Sequence, residues 1–124
     1  MATSTPGGAK TNLGLQPNVA GLLCYVPCCV GLVFSVVAAI VEKQSRFVRF
    51  HAFQSLLLNG AGLVLWVGFM VLGAVSGLLS MILIPVEILV GVAFLGLTIF
   101  MMIKANAGEE FELPVIGPMA RQWV

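Results

Sequence analysis

Residues 42–55 read EKQSRFVRFHAFQS, a dense polar stretch between two long apolar runs. Three of the chain's six Lys and Arg residues lie in it, together with the single histidine, His51. Apolar runs that end at a short basic stretch are typical of membrane-spanning helices joined by a loop at the membrane surface. The stretch therefore predicts a loop between two membrane helices.

The composition favours lipid over water as the solvent. Of the 124 residues, 60% are hydrophobic and 9% are charged, and the mean hydropathy is +1.08. Soluble domains carry about a quarter charged residues, and a chain this short leaves a large share of its surface exposed. A net charge of +1 argues against a nucleic-acid partner, which requires a basic face. The composition predicts an integral membrane protein.

Three apolar runs are each long enough to cross a bilayer as a helix. They cover about 19–41, 50–77 and 84–104. A helix rises about 1.5 Å per residue, against a hydrocarbon core of about 30 Å. Pro27 predicts a kink in the first run, and Pro85 suits the first position of the third helix. The sequence thus predicts an all-α integral membrane fold with three transmembrane helices.

The remaining segments complete a single membrane domain over 17–124. Residues 1–16 are rich in Ala, Ser, Thr and Gly and predict a disordered tail. Gly and Ser residues predict the turn between the second and third helices at 76–80. The C-terminal tail, 105–124, combines acidic residues with prolines and apolar side chains, and it predicts a segment lying on the membrane surface.

The distribution of Lys and Arg predicts the orientation. With three spans, the 42–51 loop and the C-terminus share one side, which holds five basic residues, and the other side holds Lys10 alone. Cytoplasmic loops carry the excess of basic residues. We therefore expect a multi-pass protein of the prokaryotic cytoplasmic membrane, with the loop and the C-terminus cytoplasmic and the N-terminus outside.

The 42–55 stretch also predicts a docking surface. On a helix its two arginines share one face and its phenylalanines another. This arrangement places guanidinium groups near lipid phosphates and aromatic rings in the headgroup zone. Membrane anchoring and the docking of a partner protein both fit the pattern. The predicted docking residues are Arg46, Phe47, Arg49, Phe50, His51 and Gln54.

His51 has two interpretations. On a helix it lies within reach of Gln54 and Ser55, so a structural hydrogen bond across to another helix is the first. Ligation of a haem or pigment is the second. A metal site normally has several ligands at defined spacing, and the sequence has no second histidine. We expect His51 to be a structural residue, and we expect no metal and no cofactor. His51 is the weak candidate ligand in the alternative in which the protein binds a cofactor.

Glu87 is the only acid inside an apolar run, and an ionisable residue at membrane depth is a functional hypothesis. If Pro85 begins the third helix, Glu87 lies in its first turn, where the helix dipole favours a carboxylate. A polar contact with a partner helix and a role in ion or proton movement are the alternatives.

Small residues at every fourth position predict close helix packing. The chain's three cysteines all lie within 24–29, in one apolar run, where packing is favoured over a disulfide or a cluster. The two predicted packing stripes are Gly31, Ser35 and Ala39, and Gly73 with Gly77.

The sequence has no nucleophile elbow, phosphate loop, zinc-protease helix or paired-carboxylate site, so we expect a non-enzymatic protein. The leading interpretation is an accessory or scaffold subunit of a larger membrane complex, or a homo-oligomer, that docks through 42–55 and its glycine-lined helix faces. A self-assembling channel or carrier that uses Glu87 and His51 is the alternative. A pigment- or haem-binding subunit is a lesser alternative.

Three segments carry a family likeness: NVAGLLCY at 18–25, RFVRFHAFQS at 46–55 and KANAGEEFELPVIG at 104–117. They resemble a family of small bacterial and archaeal membrane proteins of unknown function, often described as similar to Tic-twenty, a membrane subunit of the chloroplast import translocon. The likeness covers about 14–120. It implies a three-span helical protein with the loop and tail on one side, and Glu87 is not part of the pattern.

Overall fold

The computed structural model describes residues 14–27 and 29–124, and its regular secondary structure there is entirely α-helical. This confirms the predicted all-α class. Most of the predicted disordered tail, with Lys10, lies outside the described residues, as does Cys28. The helices are α1 (Pro17–Leu23), α2 (Cys29–Val41), α3 (Arg46–Val75), α4 (Gly77–Asn106) and α5 (Ile116–Gln122).

Helices α3 and α4 form a long antiparallel hairpin. Each has 30 residues, hence a length of about 45 Å, and each is long and apolar enough to cross a membrane. They meet at Ser76, which is extended and whose hydroxyl accepts the Leu79 N–H at 3.0 Å. A serine cap of this kind satisfies one of the free N–H groups at a helix start.

The cap at Ser76 starts α4 earlier than the sequence predicted. The turn is confined to Ser76, instead of extending over 76–80, and α4 begins at Gly77 instead of 84. Pro85 therefore lies inside α4, so its predicted place at the first helical position is wrong. The helix continues through Pro85, as membrane helices do where the surroundings compensate for one lost backbone bond.

The first apolar run is two helices, not one. α1 ends at Leu23 and α2 begins at Cys29. Pro27 supplies no N–H and disfavours helical backbone at the residue before it. The Cys24 carbonyl at this break accepts the hydroxyls of Ser35 at 2.9 Å and Ser55 at 2.5 Å. The prediction of one kinked helix over 19–41 is wrong, because the chain reverses at the proline.

The reversal brings both ends of this segment to the same end of the hairpin. The Asn18 side-chain amide donates to the carbonyl of Asn106, the last residue of α4, at 3.1 Å. Arg49, in the first turn of α3, donates to the carbonyls of Ala39 at 3.3 Å and Glu42 at 2.9 Å. The segment that contains α1 and α2 thus enters and leaves at one end.

The predicted three-span topology changes accordingly. Within 14–27 and 29–124, two helices meet the length and hydropathy of a membrane span. The chain from Gly14 onward starts at the hairpin end that also holds the 42–51 loop and the C-terminal tail. The predicted placement of the N-terminal segment opposite the loop is therefore contradicted for the described residues.

The molecule divides into two halves along the hairpin. The broad half, residues 14–27, 29–59 and 98–124, holds the buried core, whereas no residue of the narrow half, 60–97, is buried. Ten charged residues are described, since Lys10 is the only one outside the described ranges, and nine of them lie in the broad half. Glu87 is the charge of the narrow half.

Candidate functional site

His51 lies at the centre of a buried polar cluster formed with Tyr25, Gln54 and the C-terminal tail. Its Nε2 atom is 3.0 Å from the Glu109 carbonyl oxygen, and its Nδ1 atom is 2.9 Å from the Tyr25 hydroxyl. A carbonyl oxygen only accepts, so Nε2 carries the proton and Nδ1 accepts from Tyr25. The rings of Phe47 and Phe50 lie against the imidazole, with centroids 4.6 and 5.2 Å away.

Gln54 fastens the C-terminal tail to α3. Its Nε2 group donates to the Tyr25 hydroxyl and to the Phe111 carbonyl, both at 2.9 Å. Its Oε1 atom accepts the Leu113 N–H at 2.9 Å. Buried polar groups in and near lipid are stable when such bonds are complete. His51 and Gln54 thus hold the tail and Tyr25 together by hydrogen bonds, and they share Tyr25 instead of bonding to each other.

Tyr25 is the cluster member that the sequence interpretation missed. It belongs to the first apolar run, and it lies two residues before Pro27. The signal was present, because a lone tyrosine beside a helix-breaking proline has a hydroxyl that must find a partner when it is buried. Ser55, predicted to lie within reach of His51, bonds instead to the Cys24 carbonyl.

The predicted docking residues divide into a buried group and an exposed one. Arg46 is exposed, and Arg49 is half-buried and donates also to the Trp123 carbonyl at 3.3 Å. The aromatic and amide side chains of the set are packed against the chain's own tail and α1, so they offer no surface to a partner in this structure. The buried members are Phe47, Phe50, His51 and Gln54.

The tail folds back onto α3 through α5. Arg121 pairs with Glu112 and with Glu110, the latter at 2.8 Å, and its guanidinium lies 4.4 Å from the centroid of the Phe50 ring. The hydrogen bonds that Arg121 donates to the two carboxylates, that to Glu112 first, raise the pKa of Arg121 above its ordinary value. Lys104 pairs with Glu109 at 3.2 Å.

The predicted packing stripes lie next to the two places where the chain reverses direction, the break at Pro27 and the turn at Ser76. A Cβ atom on Gly31 would overlap the Val26 carbonyl oxygen, and Ser35 bonds to the Cys24 carbonyl. Gly73 faces Ser80 across the α3–α4 hairpin, with 3.5 Å between the position of its missing Cβ and the Ser80 hydroxyl oxygen. The space around Gly77 is open.

A groove lies where α2 begins and the hairpin continues alone. Its volume is about 640 Å³, and apolar side chains form most of its wall. Glu87 is half-buried in this wall, ten residues after the start of α4, so the prediction that it lies in the first turn is wrong. The residues that line the groove include Cys29, Leu32, Asn59, Trp66, Glu87 and Gly91.

Glu87 and His51 do not share a cavity in the described structure. Gly73 lies opposite Ser80 and Gly62 opposite Phe94, so Glu87 lies opposite a point near residue 67 of α3. That point is about 16 residues, or roughly 24 Å, from His51 along the helix axis. Within 14–27 and 29–124, no group of three or more His, Cys, Asp or Glu side chains could hold a metal ion.

Comparison with known proteins gives the family. The model of the magnetosome magnetite crystal formation protein family matches residues 12–120. A UPF0132 membrane protein of Methanocaldococcus jannaschii is 41% identical over 120 residues, which is 92% of this chain and 94% of the relative. A second from the same organism is 33% identical over 115 residues, covering 90% and 72%.

A third relative, a UPF0132 membrane protein of Archaeoglobus fulgidus, is 31% identical over 110 residues, covering 89% of this chain and 97% of its own. No solved structure matches the chain. The exposed apolar hairpin and the length of its helices fit a membrane protein, and these relatives are named membrane proteins. The chain belongs to the magnetosome magnetite crystal formation protein family, and it is a small helical membrane protein.

Proposed function

We propose that this protein is a non-enzymatic scaffold or accessory subunit that associates within the membrane through its narrow half. One observation carries the proposal: no residue from 60 to 97 is buried, yet that half contains a groove with a carboxylate in its wall. An ionisable side chain at membrane depth is costly and normally finds a partner. A neighbouring membrane helix in the groove would supply that partner.

The broad half supports the same proposal from the other side. Tyr25, His51 and Gln54 are buried and bonded to one another or to the backbone, which leaves them no free atom for catalysis or ligation. The 42–55 docking hypothesis therefore narrows to Arg46, which is exposed at the start of α3. Anionic lipid headgroups match an exposed arginine at that level.

The basic residues indicate which end of the hairpin faces the cytoplasm. The five described Lys and Arg residues all lie in the broad half, at one end of the hairpin. Basic residues near the ends of spans favour the cytoplasmic side. The broad end, with the 42–51 loop and the C-terminus, is proposed to face the cytoplasm of a prokaryotic cell, and the turn at Ser76 the opposite side of the cytoplasmic membrane.

A groove-filling variant tests lateral association. A Cβ at Gly91 meets nothing within 4 Å, so Gly91→Leu is tolerated by the chain but fills the groove. Gly96→Leu is the matched control, because Gly96 is equally open on α4 and does not line the groove. After mild solubilisation of native membranes, we expect the natural chain and Gly96→Leu to migrate in a larger assembly and Gly91→Leu to migrate alone.

Free monomer for the natural chain in that experiment would overturn the proposal. Identifying the co-migrating proteins by mass spectrometry separates a homo-oligomer from a heteromeric complex. Equal migration of the two glycine variants in a large assembly would also count against the groove as the contact surface.

A self-assembling channel or carrier is the second candidate, favoured by the half-buried Glu87 carboxylate in the groove. It requires that replacement of the carboxylate change ion flux. Proteoliposomes with the natural chain and with Glu87→Gln should then differ in proton or cation flux. Equal flux would remove this candidate.

Haem or pigment binding has less support, because both ring nitrogens of His51 are engaged. A visible absorption band in the purified protein would restore it. The likeness to Tic-twenty stays a prediction.

A further inference from the structure

The break at Pro27 has a consequence for the shape of the molecule in the bilayer. The Cys24 carbonyl at the reversal is bonded to Ser55, which lies nine residues after Arg46, the first residue of α3. Each hairpin helix is about 45 Å long, so a hydrocarbon core of about 30 Å covers only part of it, and the long apolar run of α3 begins after Ser55. Helices α1 and α2 therefore extend from the polar end of the hairpin to the outer part of that apolar run, where Cys29 lines the groove with Leu56 and Asn59, and return.

The outer face of α2 is suited to lipid. Val33, Val37 and Ile40 are 59%, 41% and 65% exposed, and α2 contains no charged residue. A wholly apolar exposed face is unfavourable in water and favourable among acyl chains. The helix is thus suited to the acyl chains of the leaflet that adjoins the broad end.

Of the described residues, only those of the hairpin lie in the other leaflet. Val64, Val71 and Val75 in the narrow half of α3 are 72%, 62% and 74% exposed. No residue from 60 to 97 is covered by α1, α2 or α5 to the point of burial. Counted over 14–27 and 29–124, four helical segments therefore lie in one leaflet and two in the opposite leaflet.

The difference in cross-section is large for a chain of this size. A helix has a diameter of about 10 Å, which gives a cross-section of roughly 80 Å². The two additional segments add roughly 160 Å² to one leaflet alone by the same measure. Insertion of apolar helices into one leaflet is sensitive to curvature, because a convex leaflet offers more area for them.

We infer that this protein is a membrane wedge: its broad end in one leaflet and two-helix end in the other make it prefer, and at high density promote, curvature with the broad end on the convex side. The inference does not depend on a partner protein. With the proposed cytoplasmic broad end, the favoured shape is a membrane that bulges toward the cytoplasm.

The test is a sorting experiment in pure lipid. The full-length chain, labelled on its N-terminal amine, is reconstituted at low density into vesicles of phosphatidylcholine and phosphatidylglycerol with a broad range of sizes. Protein and lipid fluorescence are then measured on single vesicles. We expect the protein density to be roughly threefold higher on the most curved vesicles than on nearly flat ones, because a convex leaflet offers more area for inserted helices.

Orientation is measured on the same samples with trypsin added outside. The described tryptic sites, such as Lys104 and Arg121, lie at the broad end, so cleavage reports which end faces out. We expect the molecules on highly curved vesicles to be cleaved. Equal density on small and large vesicles, or enrichment with the broad end protected inside, would overturn the wedge.

Two trimmed variants separate the wedge from an effect of stability. Val33→Ala with Val37→Ala and Ile40→Ala narrows the broad half, and the size dependence should weaken. Val64→Ala with Val71→Ala and Val75→Ala narrows the other half, and the size dependence should strengthen. A loss of folding moves both variants in one direction, so shifts of the same sign would also overturn the inference. The outcome is independent of the association experiment, because no partner is present in the vesicles.

Discussion

The two halves of this molecule solve the same problem, a polar backbone in or near lipid, in different ways. In the narrow half, two continuous helices satisfy their own backbone groups, apart from the one bond that Pro85 cannot donate, and none of their side chains is buried. In the broad half, the chain breaks at Pro27 and again after Asn106, and side chains replace the missing backbone bonds. Irregular backbone at membrane depth is tolerated only where protein buries it.

This difference teaches where the fold is specified. The hairpin requires little more than length, apolar side chains and one serine cap. The broad half requires particular residues at long sequence separation, such as Ser55 for the Cys24 carbonyl and Gln54 for the Leu113 N–H. Substitutions in the two halves should therefore differ strongly in cost.

The largest contrast is expected between two glycines. Gly31→Ala places a Cβ on the Val26 carbonyl at the Pro27 reversal, and because backbone atoms must move, it should cost about 3 kcal/mol of unfolding free energy. Gly96→Ala in the narrow half meets nothing within 4 Å and should stabilise α4 by up to about 1 kcal/mol. Denaturation in mild detergent measures both.

Equal effects at these two glycines would break the comparison of the halves. A milder loss at Gly31 with a normal hairpin would show that the α1–α2 reversal unfolds separately from α3 and α4. Proteolysis of 14–41 at increasing denaturant concentration distinguishes the two outcomes.

The next effect concerns the tail. Gln54→Leu removes three hydrogen bonds and leaves the buried Leu113 N–H without its acceptor. We expect a loss of about 2 kcal/mol and faster tryptic cleavage at Arg121. Gln122→Leu is the control, because Gln122 is exposed on α5, and it should change the stability by less than about 0.5 kcal/mol. Unchanged cleavage in Gln54→Leu would show that apolar packing alone holds the tail.

A smaller effect is expected at the Cys24 carbonyl, which has two hydroxyl partners. Ser35→Ala or Ser55→Ala alone leaves one partner, and each should cost about 0.5–1 kcal/mol. The double variant leaves the carbonyl bare, so its cost should exceed the sum by about 1 kcal/mol. A purely additive double-mutant cycle would show that water or backbone movement replaces the hydroxyls.

The same contrast explains what could be predicted from the sequence. The hairpin could be predicted from the sequence. The apolar run from 52 to 103 has no charged residue besides Glu87, and because it is too long for one span, the chain must turn back within it. The reversal at Pro27 was not, because a proline inside an apolar run fits a kinked helix equally well. The reversal is held by hydrogen bonds from the Ser35 and Ser55 hydroxyls to the Cys24 carbonyl. The local sequence pattern does not show that these groups come together.

The positions of Glu87 and Tyr25 were missed for related reasons. The Ser76 cap starts α4 at Gly77, eight residues before Pro85 and ten before Glu87, and residue pattern alone favoured the proline as the start. The predicted role of His51 was reached from its type and its helix position. Its partners, Tyr25 and the Glu109 carbonyl, come from 26 and 58 residues away.

The smallest effect is expected at the exposed edge of the broad half, and it compares that edge with the buried interior of the same half. Arg121 pairs with Glu110 and Glu112 and lies over Phe50, but its side chain is 38% exposed. Exposed ion pairs contribute at most about 1 kcal/mol, and salt screens them. Arg121→Gln should cost less than about 1 kcal/mol at low salt and still less at high salt.

Arg121→Lys separates the charge from the planar stacking group, since lysine keeps the charge but not the guanidinium plane over Phe50. If the lysine variant is as stable as the natural chain, the ion pairs carry the contribution; if it matches the glutamine variant, the ring contact does. A loss as large as that of Gln54→Leu would mean that the tail depends on its surface charges as much as on its buried amide. Helix α5 would then belong with the interior of the broad half, where substitutions are costly in stability, and not with its exposed edge, where they are tolerated.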